Sequence, residues 1–257
     1  MIDLHCHVLP GIDDGPETIE GSLEFARTAV AAGIETLVAT PHVNSRTPND
    51  SATIAHLVKE LNARLAEERV ALSILPGAEI AVSQVAEIEP EELQRLSLGG
   101  GPWLLVEPPF TTIAVGLEGM LLNLLRKGHR VVLAHPERCP ALQRDRRLVP
   151  ELVDLGILMS ITAGSFTGRF GGEVRRYALE LAHAGLIHNV TSDAHDSVNR
   201  PPGLAAELEQ AGLADLREWL TEAVPAAILG GEEIPPRPAG ALTDARPRRG
   251  WRSRWRA

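Results

Sequence analysis

The sequence predicts an α/β fold in which seven strand–helix units alternate and close into a barrel of parallel strands. Short apolar runs, several rich in valine and isoleucine, recur along the chain and are separated by amphipathic helical patterns. Such runs are typical of strands that are buried on both faces. Alternating strands and helices pair the strands in parallel through right-handed crossovers. The alternative is an open doubly wound sheet, but no G-x-G-x-x-G turn follows the first strand.

The elements follow in order from these two periodicities. The predicted strands are the runs MIDL, IETLVAT, ALSIL, PWLLVE, RVVLAH, ILMSIT and LIHNVTS. The first helical pattern carries apolar residues every three or four positions from Ile19 to Val30, and Gly33 is its expected stop. The other helical patterns span 51–68, 115–128, 148–156 and 172–185.

Composition fits a globular protein with an aliphatic core. The 257 residues suffice for one α/β barrel, and 44% are hydrophobic, 23% charged and 4% aromatic. No apolar run approaches the roughly 20 residues of a membrane span, and no basic signal segment precedes the first strand. With only Cys6 and Cys139, we expect no disulfide framework and a cytoplasmic location.

We expect residues 1–240 to form a single domain and residues 241–257 to form a basic tail that contains arginine and tryptophan. Six arginines and no acidic residue follow Asp244, so residues 1–244 sum to −9 − 6 = −15. Low hydrophobicity with high charge predicts a disordered tail. The tail could also make weak contact with an anionic membrane surface, nucleic acid or an acidic partner. The acidic body argues against nucleic acid as the main partner.

Histidines and carboxylates stand where the predicted strands end. The carboxyl ends of barrel strands meet at one mouth, which is where catalytic groups lie. His5 and His7 alone fit either a metal nest or a polar strand end, because H-x-H pairs also arise by chance. Eight residues at equivalent strand ends favour a metal site. They are His5, His7, His42, Glu79, Glu107, His135, Asp193 and His195.

The ligand types indicate which metals the site would hold. Imidazole and carboxylate without thiolate suit divalent Mn, Fe, Co or Zn, and Mg is a further option. Cys6 alternates with the two first histidines, so it should face the other side of the strand. Eight ligands exceed what one ion uses, which predicts two or three ions that share a carboxylate. Arg138 and Arg200 follow two of the histidines and favour a phosphate ester as the substrate.

A cysteine-dependent phosphatase does not fit the spacing. That chemistry places its thiolate in a phosphate-cradling C-x5-R loop, whereas four residues separate Cys139 from Arg144, and Ile12 occupies the arginine position after Cys6. The predicted nucleophile is therefore a metal-bound hydroxide.

Six motifs in order, HCHVLPGIDDGP, ATPH, GAEI, LVEPPF, AHPER and TSDAHD, resemble the PHP (polymerase and histidinol phosphatase) metallo-phosphoesterases over about residues 1–235. LPGIDDG and AHPER resemble a narrower branch, the bacterial manganese-dependent protein-tyrosine phosphatases of capsule and exopolysaccharide synthesis. The resemblance implies a PHP-type, distorted (β/α)7 barrel with a trinuclear metal site at the carboxyl ends of its strands.

The resemblance also implies a role for each site residue. The implied ligand sets are His5, His7, Glu79 and Asp193 for one ion, Glu79, Glu107 and His135 for a second, and His42, His195 and Asp14 for a third. Arg138 and Arg200 would grip the phosphate, and with Asp14 they form the predicted catalytic group. One departure is Cys139, because an aromatic residue, typically tyrosine, usually follows AHPER. This departure bears on the shape of the substrate pocket.

The predicted function is metal-dependent hydrolysis of a phosphate monoester, with phosphotyrosine on a protein as the expected substrate. By resemblance, that protein is the tyrosine-rich tail of a bacterial polysaccharide-synthesis kinase. One alternative is a small ester such as histidinol phosphate, for whose amines Glu137 is the nearest acidic candidate. Another is a non-catalytic module that binds phosphorylated tails. The full ligand set favours hydrolysis, since a binding module needs no hydroxide generator.

Overall fold

The computed structural model describes residues 1–113 and 115–239. Their strands are β1 (Ile2–Cys6), β2 (Thr36–Ala39), β3 (His42–Val43), β4 (Ser73–Pro76), β5 (Glu79–Ala81), β6 (Trp103–Glu107), β7 (Arg130–Ala134), β8 (Leu158–Thr162) and β9 (Asn189–Thr191). Their α-helices are α1 (Ile19–Ala31), α2 (Ser51–Glu67), α3 (Pro90–Arg95), α4 (Leu117–Arg126), α5 (Pro140–Arg144), α6 (Leu148–Asp154), α7 (Ala163–Phe166), α8 (Gly172–His183), α9 (Ala205–Gln210) and α10 (Val224–Gly230). A π-helical segment, Trp219–Ala223, leads into α10.

All seven predicted strand runs are present, but the second and third are each split in two. Pro41 separates β2 from β3, and a proline has no backbone N–H to give to a ladder. Gly77 lies between β4 and β5, where a Cβ would come within 2.7 Å of a Val38 methyl group. His42 and Glu79 therefore begin short strands instead of ending long ones, and they pair directly across β3 and β5.

Every pairing between named strands is parallel, in two sheets. The strand orders are β1-β2-β4 and β3-β5-β6-β7-β8-β9. The chain after β9 returns to β1 through a parallel bridge between Cys6 and Ala194. There the His7 amide donates to the Ala194 carbonyl, and the Asp193 amide donates to the His5 carbonyl, each at 2.9 Å. The first strand thus has neighbours on both of its edges.

The core is aliphatic, as the composition predicts. All five residues of β8 are buried, and helices pack their apolar faces against the strands. Thr18 caps α1 by accepting a hydrogen bond from the Gly21 amide, and Asp50 caps α2 by accepting one from the Thr53 amide. Such caps satisfy amides that the helix itself leaves unpaired. The strands and helices together form a rigid frame for the residues that follow the strands.

Two further predictions concern membrane-spanning segments and the C-terminal end of the chain. Within 1–113 and 115–239, no helix combines the length and the apolar character that crossing a bilayer requires. The basic tail at 241–257 lies outside the described residues, so its predicted disorder and membrane contact stay predictions. The same holds for the boundary at residue 240.

Candidate metal centre

The nine predicted ligands lie together at one end of the strands. His5 is in β1 and His7 follows it, whereas His42 and Glu79 open β3 and β5. The remaining ligands come from the GIDDG turn and from the ends of the later strands, and they are Asp14, Glu107, His135, Asp193 and His195. Residues that are far apart in the sequence thus meet because parallel strands end at the same edge.

Glu79 lies at the centre of the cluster and is 1% exposed. Its Oε1 lies 2.7 Å from Nε2 of His135 and 3.4 Å from Nε2 of His5. Its Oε2 lies 2.8 Å from Nδ1 of His42 and 3.5 Å from Nε2 of His7. One carboxylate therefore faces four imidazoles, so Glu79 and these histidines could together hold metal ions.

Asp193 divides its two oxygens between histidines and arginines. Its Oδ1 lies 3.5 Å from Nε2 of His5 and 3.6 Å from Nε2 of His7. Its Oδ2 accepts from the Arg138 guanidinium and lies 2.8 Å from Nη2 of Arg200. The two predicted phosphate-gripping arginines thus border the cluster directly.

Asp14 belongs to the outer side of the cluster, where 63% of its side chain is exposed. Its Oδ1 lies 3.3 Å from Nε2 of His195 and 3.4 Å from Nε2 of His42. The His195 ring also packs on the His7 ring, with the centroids 3.9 Å apart. These four residues have ligand atoms within 4.8 Å of one another.

Among the described residues, three further groups have potential ligand atoms within 4.8 Å of one another. They are His5–His7–Asp193, His5–Glu79–His135 and His42–Glu79–Glu107. The first lies within one ion set implied by the resemblance. Glu107 groups with His42, whereas its Oε1 lies 4.0 Å from Nε2 of His135. The groups share members, as a cluster of adjacent ions would require.

Two predicted ligands hold the backbone in the left-handed region. His135 has a φ of 31° and Asp193 a φ of 48°, a conformation that is costly for residues with a side chain. The Arg138 amide donates to the His135 carbonyl at 2.9 Å, and the Asp193 amide donates to the His5 carbonyl. The strain falls on residues that turn away from β7 and β9 and direct their side chains at the centre.

The GIDDG turn supplies a second acidic residue that the sequence did not assign. Asp13 Oδ2 lies 2.7 Å from Nδ1 of His7 and accepts from the His42 amide at 3.1 Å. Its Oδ1 accepts from the Gly15 amide, and a Cβ at Gly15 would overlap the His7 carbonyl oxygen. Asp13 thus orients His7 and leaves its Nε2 directed at the cluster, as partners of metal-binding histidines do.

Asp3 is another buried carboxylate whose role was not predicted from the sequence. Its Oδ1 accepts from the amides of His5 and Ser192, at 3.2 and 3.1 Å. Burial raises the pKa of Asp3 to about 6, although these hydrogen bonds oppose the increase. Asp3 therefore ties β1 to the chain before Asp193. An aspartate inside a buried strand is uncommon, and this is the feature of the sequence that could have indicated a role for Asp3.

Two phenylalanines lie next to the arginines, and neither was predicted to belong to the site. The Arg138 guanidinium carbon lies 5.2 Å from the Phe110 ring centroid and 4.3 Å from the Phe170 centroid. The Arg200 guanidinium carbon lies 5.8 Å from the Phe170 centroid. Phe110 also stacks on His135, with centroids 5.4 Å apart and ring planes 25° apart.

Neither cysteine has the surroundings of a reactive thiolate. Cys6 is buried, and its thiol lies 3.5 Å from the Val38 carbonyl. The Cys139 thiol lies 3.3 Å from the carbonyl of Pro109. Burial raises the pKa of both thiols, and that of Cys6 lies well above its ordinary value. Both therefore stay protonated near neutral pH.

Glu137 does not face the cluster. Its carboxylate is fully buried and accepts from the Ser165 hydroxyl at 2.6 Å and from the Thr162 amide at 3.1 Å. These contacts fasten the loop after β7 to the end of β8. The Glu137 side chain is therefore hydrogen-bonded inside the protein and is not accessible to the amines of a small substrate.

The charges of the cluster fit bound cations. Five acidic groups meet two arginines, so the cluster with all five ionised and its imidazoles neutral would carry an excess of three negative charges; the acidic groups are Asp13, Asp14, Glu79, Glu107 and Asp193. Buried anions are costly without compensation. Oε2 of Glu79 is buried without an aligned hydrogen-bond donor. Burial and the neighbouring Glu79 raise the pKa of Glu107 to about 8.

The pKa values of His7 and Glu79 reflect the same excess of negative charge in the cluster. Burial opposes protonation of His7, yet its hydrogen bonds with Asp13 and Asp193 raise the pKa of its imidazole to about 10. Burial also opposes ionisation of Glu79, but His5 and the other imidazoles keep the pKa of this carboxyl well below its ordinary value. Divalent cations would supply the positive charge that a proton otherwise supplies, and the donor set suits first-row metals.

A parallel α/β fold with histidines, carboxylates and arginines gathered at its strand ends defines a class of protein built around a candidate multinuclear metal centre. The sequence profile described as "Capsular polysaccharide synthesis, CpsB/CapC" matches residues 1–211. The chain belongs to this CpsB/CapC family. The branch that the sequence motifs predict is thereby confirmed.

Relatives of this chain carry the name tyrosine-protein phosphatase. The chain is 40% identical to tyrosine-protein phosphatase YwqE of Bacillus subtilis (strain 168) over 201 residues, which cover 78% of this chain and 79% of YwqE. It is 30% identical to tyrosine-protein phosphatase CpsB of Streptococcus pneumoniae over 211 residues, 79% of this chain and 86% of CpsB.

Solved structures support the same relationship. A structure reported for YwqE and CpsB as "unique metal-dependent tyrosine phosphatases" matches with a TM-score of 0.82 and 36% identity, over 93% of this chain and 99% of that one. Dihydropyrimidinase from Brevibacillus agri matches with a TM-score of 0.53 and 12% identity, over 89% of this chain and 70% of that one. The second match concerns the fold alone.

Proposed function

We propose that this protein hydrolyses phosphotyrosine on proteins and uses two or three divalent metal ions, with manganese as the expected metal and Fe, Co, Zn and Mg as the alternatives. The observation that carries the proposal is the position of Asp193, whose oxygens face two histidines on one side and two arginines on the other. A phosphate grip therefore adjoins the candidate ligands. Its relatives YwqE and CpsB are named tyrosine-protein phosphatases.

The proposed ligands are the nine residues of the cluster, which would hold the ions when they are bound. His5, His7, His42, His135 and His195 would bind through imidazole nitrogens, and Asp14, Glu79, Glu107 and Asp193 through carboxylate oxygens. When bound, divalent ions lower the pKa of a coordinated water and stabilise charge on a phosphoryl group. Asp13 holds His7 in the orientation that leaves its Nε2 free for a ligand bond.

The arginines bind and orient the phosphate in this proposal. The guanidinium groups of Arg138 and Arg200 present planar pairs of N–H donors, which match phosphoryl oxygens in a bidentate manner. In the structure they donate to Asp193, and a bound phosphate offers them a second anionic partner. Asp14 stays a carboxylate, because a hydrogen bond with His195 keeps its pKa well below the usual range. It can therefore bind a cation, but it has no proton to donate near neutral pH.

A distorted (β/α)7 barrel of residues 1–240 is the architecture that we propose around this site. The seven strand segments, two of them split, follow one another as neighbours. The bridge between Cys6 and Ala194 supports closure between the last and first segments. The metal site would then occupy the carboxyl ends of the strands, as catalytic sites of parallel barrels do.

The proposed protein substrate is the phosphorylated tyrosine-rich tail of a bacterial tyrosine kinase of polysaccharide synthesis. Membership of the capsular polysaccharide synthesis family supports this partner. We propose that the reaction takes place in the cytoplasm, and the two unpaired thiols, Cys6 and Cys139, support this location. The acidic body disfavours nucleic acid as a partner.

A comparison of two substrates tests the proposed function. We expect kcat/KM for a phosphotyrosine peptide to exceed that for histidinol phosphate by at least about tenfold, or about 1.4 kcal/mol. The physical reason is that Glu137, the nearest acidic candidate for the amines, is buried and already hydrogen-bonded. A preference for histidinol phosphate would contradict the proposal, and binding of the peptide without turnover would support a non-catalytic module.

Arginine variants test the phosphate grip within the same assay. Arg138→Ala should lower kcat/KM for both substrates, because each loses the same phosphate contact. Arg138→Lys should restore only part of the activity, because an ammonium group lacks the planar fork. Full activity of Arg138→Ala would remove this residue from the proposed mechanism.

A further inference from the structure

Two of the four phenylalanines lie at the mouth of the metal centre, in a protein with 4% aromatic residues. Phe25 and Phe166 are buried in the core. Phe110 is 50% exposed, and Phe170 is partly exposed. Burial in the core explains the first pair but not the second. The second pair shares one neighbour, the guanidinium group of Arg138.

The two rings frame the place where a phosphate would bind. Phe110 stacks on the candidate ligand His135, and its ring centroid lies 5.2 Å from the Arg138 guanidinium carbon. Phe170 lies under both arginines, 4.3 Å from Arg138 and 5.8 Å from Arg200. A half-exposed ring that already touches a candidate ligand has an open surface beside the reacting group.

We propose that Phe110 and Phe170 form an aromatic clamp that selects aryl phosphate esters over alkyl phosphate esters. The inference rests on the proposed function and names what discriminates its substrate. An aryl phosphate carries its ring directly on the ester oxygen, so a phosphate held by Arg138 and Arg200 brings that ring beside the two phenylalanines. An alkyl ester such as phosphoserine presents only a methylene group there. Offset or edge-to-face contacts between rings are favourable beyond the area they bury.

The exposed apolar surface of the described residues supports a polypeptide as the carrier of that ring. Its five large exposed hydrophobic side chains are Phe110, Ile113, Val115, Val198 and Leu155. The first three follow Glu107, and Val198 precedes Arg200, so four of the five lie in the two loops that carry Phe110 and Arg200. Clustered exposed apolar residues mark interaction sites.

Cys139 contributes to the placement of the clamp. Its thiol lies 3.3 Å from the carbonyl of Pro109, the residue immediately before Phe110. This contact links the loop after β7, which carries Arg138, to the loop after β6, which carries Phe110. The ring and the guanidinium group are thereby positioned by a common support.

Phosphonates that differ only in their substituent test the clamp. Phenylphosphonate and methylphosphonate are compared as inhibitors of phosphotyrosine-peptide hydrolysis and, independently, by calorimetric binding to the metal-loaded protein. The variants are Phe110→Leu and Phe170→Leu, which keep an apolar side chain but remove the ring. Leu155→Ala is the matched control, since Leu155 is exposed and lies before β8, at the opposite end of the strands.

We expect wild-type protein to bind phenylphosphonate more tightly than methylphosphonate, and each Phe→Leu variant to reduce this preference by about three- to tenfold, the effect of one aromatic pair. Leu155→Ala should keep the wild-type ratio. If both phosphonates weaken equally in the Phe→Leu variants, the rings only position Arg138 and the clamp is wrong. An unchanged ratio with unchanged affinities refutes it too. Wild-type protein that binds the phosphonates but leaves the peptide intact would instead contradict the proposed function.

Discussion

The inner and outer parts of the cluster differ in how firmly their side chains are held. The inner residues are at most 2% exposed, and they are His5, His7, Glu79, His135 and Asp193. The outer residues are more open, with Asp14 63%, His42 20%, Glu107 14% and His195 7% exposed. Buried charge must be matched by fixed partners, whereas an exposed group can exchange its partners with water or substrate.

The support behind each part explains this difference. Asp3 holds the backbone amide of the inner ligand His5, and Asp13 holds the ring of the inner ligand His7. Asp13 also accepts from the backbone amide of the outer ligand His42, but the His42 side chain is left more open. Asp14, by contrast, is exposed, and its carboxylate lies 3.3 Å from His195 and 3.4 Å from His42. We infer that the inner ligands determine whether ions bind, and that the outer ligands adjust the site when a substrate enters.

The largest effect should come from a matched pair of amide substitutions, one in each part. Glu79→Gln should lower kcat by on the order of a thousandfold or more, because it removes a charge that four imidazoles share and with it several kcal/mol of metal-dependent stabilisation. Asp14→Asn should cost at least tenfold less than that. Metal content by elemental analysis should fall further in the Glu79 variant. Equal losses of metal and of kcat in both variants would show that the inner and outer ligands contribute equally to metal binding and catalysis.

The support behind His7 should have an intermediate effect. Asp13→Asn keeps the shape but removes the charge that orients the imidazole, and losing such a partner typically costs about 10- to 100-fold in metal affinity or activity. A metal titration followed by calorimetry measures the affinity. Asp154→Asn is the control, because Asp154 is exposed at the end of α6, which precedes β8 and lies at the opposite end of the strands. Wild-type affinity in Asp13→Asn would mean that His7 is oriented by the fold alone.

A smaller effect is expected on stability and away from the cluster, at His188. Burial lowers the pKa of His188 from 6.5 to about 4, and its Nδ1 accepts a hydrogen bond from the Met159 amide. The unfolded chain therefore binds a proton that the folded chain refuses, so stability is complete above pH 6.5 and is lost as the pH falls towards 4. Between pH 7 and 5 this loss is about 2 kcal/mol in the free energy of unfolding.

The variant His188→Gln isolates this contribution, because a glutamine oxygen can accept the same hydrogen bond without titrating. Urea unfolding at pH 7 and at pH 5 should show a fall in the free energy of unfolding that is about 2 kcal/mol smaller in the variant than in wild type. Identical falls in both proteins would show that His188 keeps its ordinary pKa in the folded state.

The smallest effect on activity is expected at the cysteines. The double variant Cys6→Ser, Cys139→Ser should retain most of kcat, because both hydroxyls can donate to the carbonyls that the thiols now approach. A modest loss of thermal stability is expected, since Cys6 is buried in the core. A trapped phosphocysteine, detected by mass spectrometry, would overturn the metal-dependent account.

The sequence predicted what strand periodicity controls. The seven strand runs and the meeting of His5, Glu107, His135 and Asp193 follow from the alternation of strands and helices. The splits at Pro41 and Gly77 were not predicted, because they depend on how β2 packs on its neighbours. Short helices such as α3 and α7 were also missed, since four to six residues show no reliable periodicity.

Contacts between distant segments were the other limit on prediction. The roles of Asp13 and Asp14 depend on which way the GIDDG turn folds against His7, and adjacent identical residues carry no signal about that. Phe110 and Phe170 lie 60 positions apart, and they share a neighbour only because Arg138 comes between their loops. Residue type suggests chemistry, but only the fold brings these partners together.

The most direct test of the metal centre combines metal analysis with phosphotyrosine-peptide hydrolysis on one preparation. Activity is measured before exhaustive chelation, after it, and after stepwise addition of Mn²⁺. We predict that activity is lost with the bound metal and returns as two to three ions bind per chain. Full activity in protein that is verified to be free of metal would contradict the account.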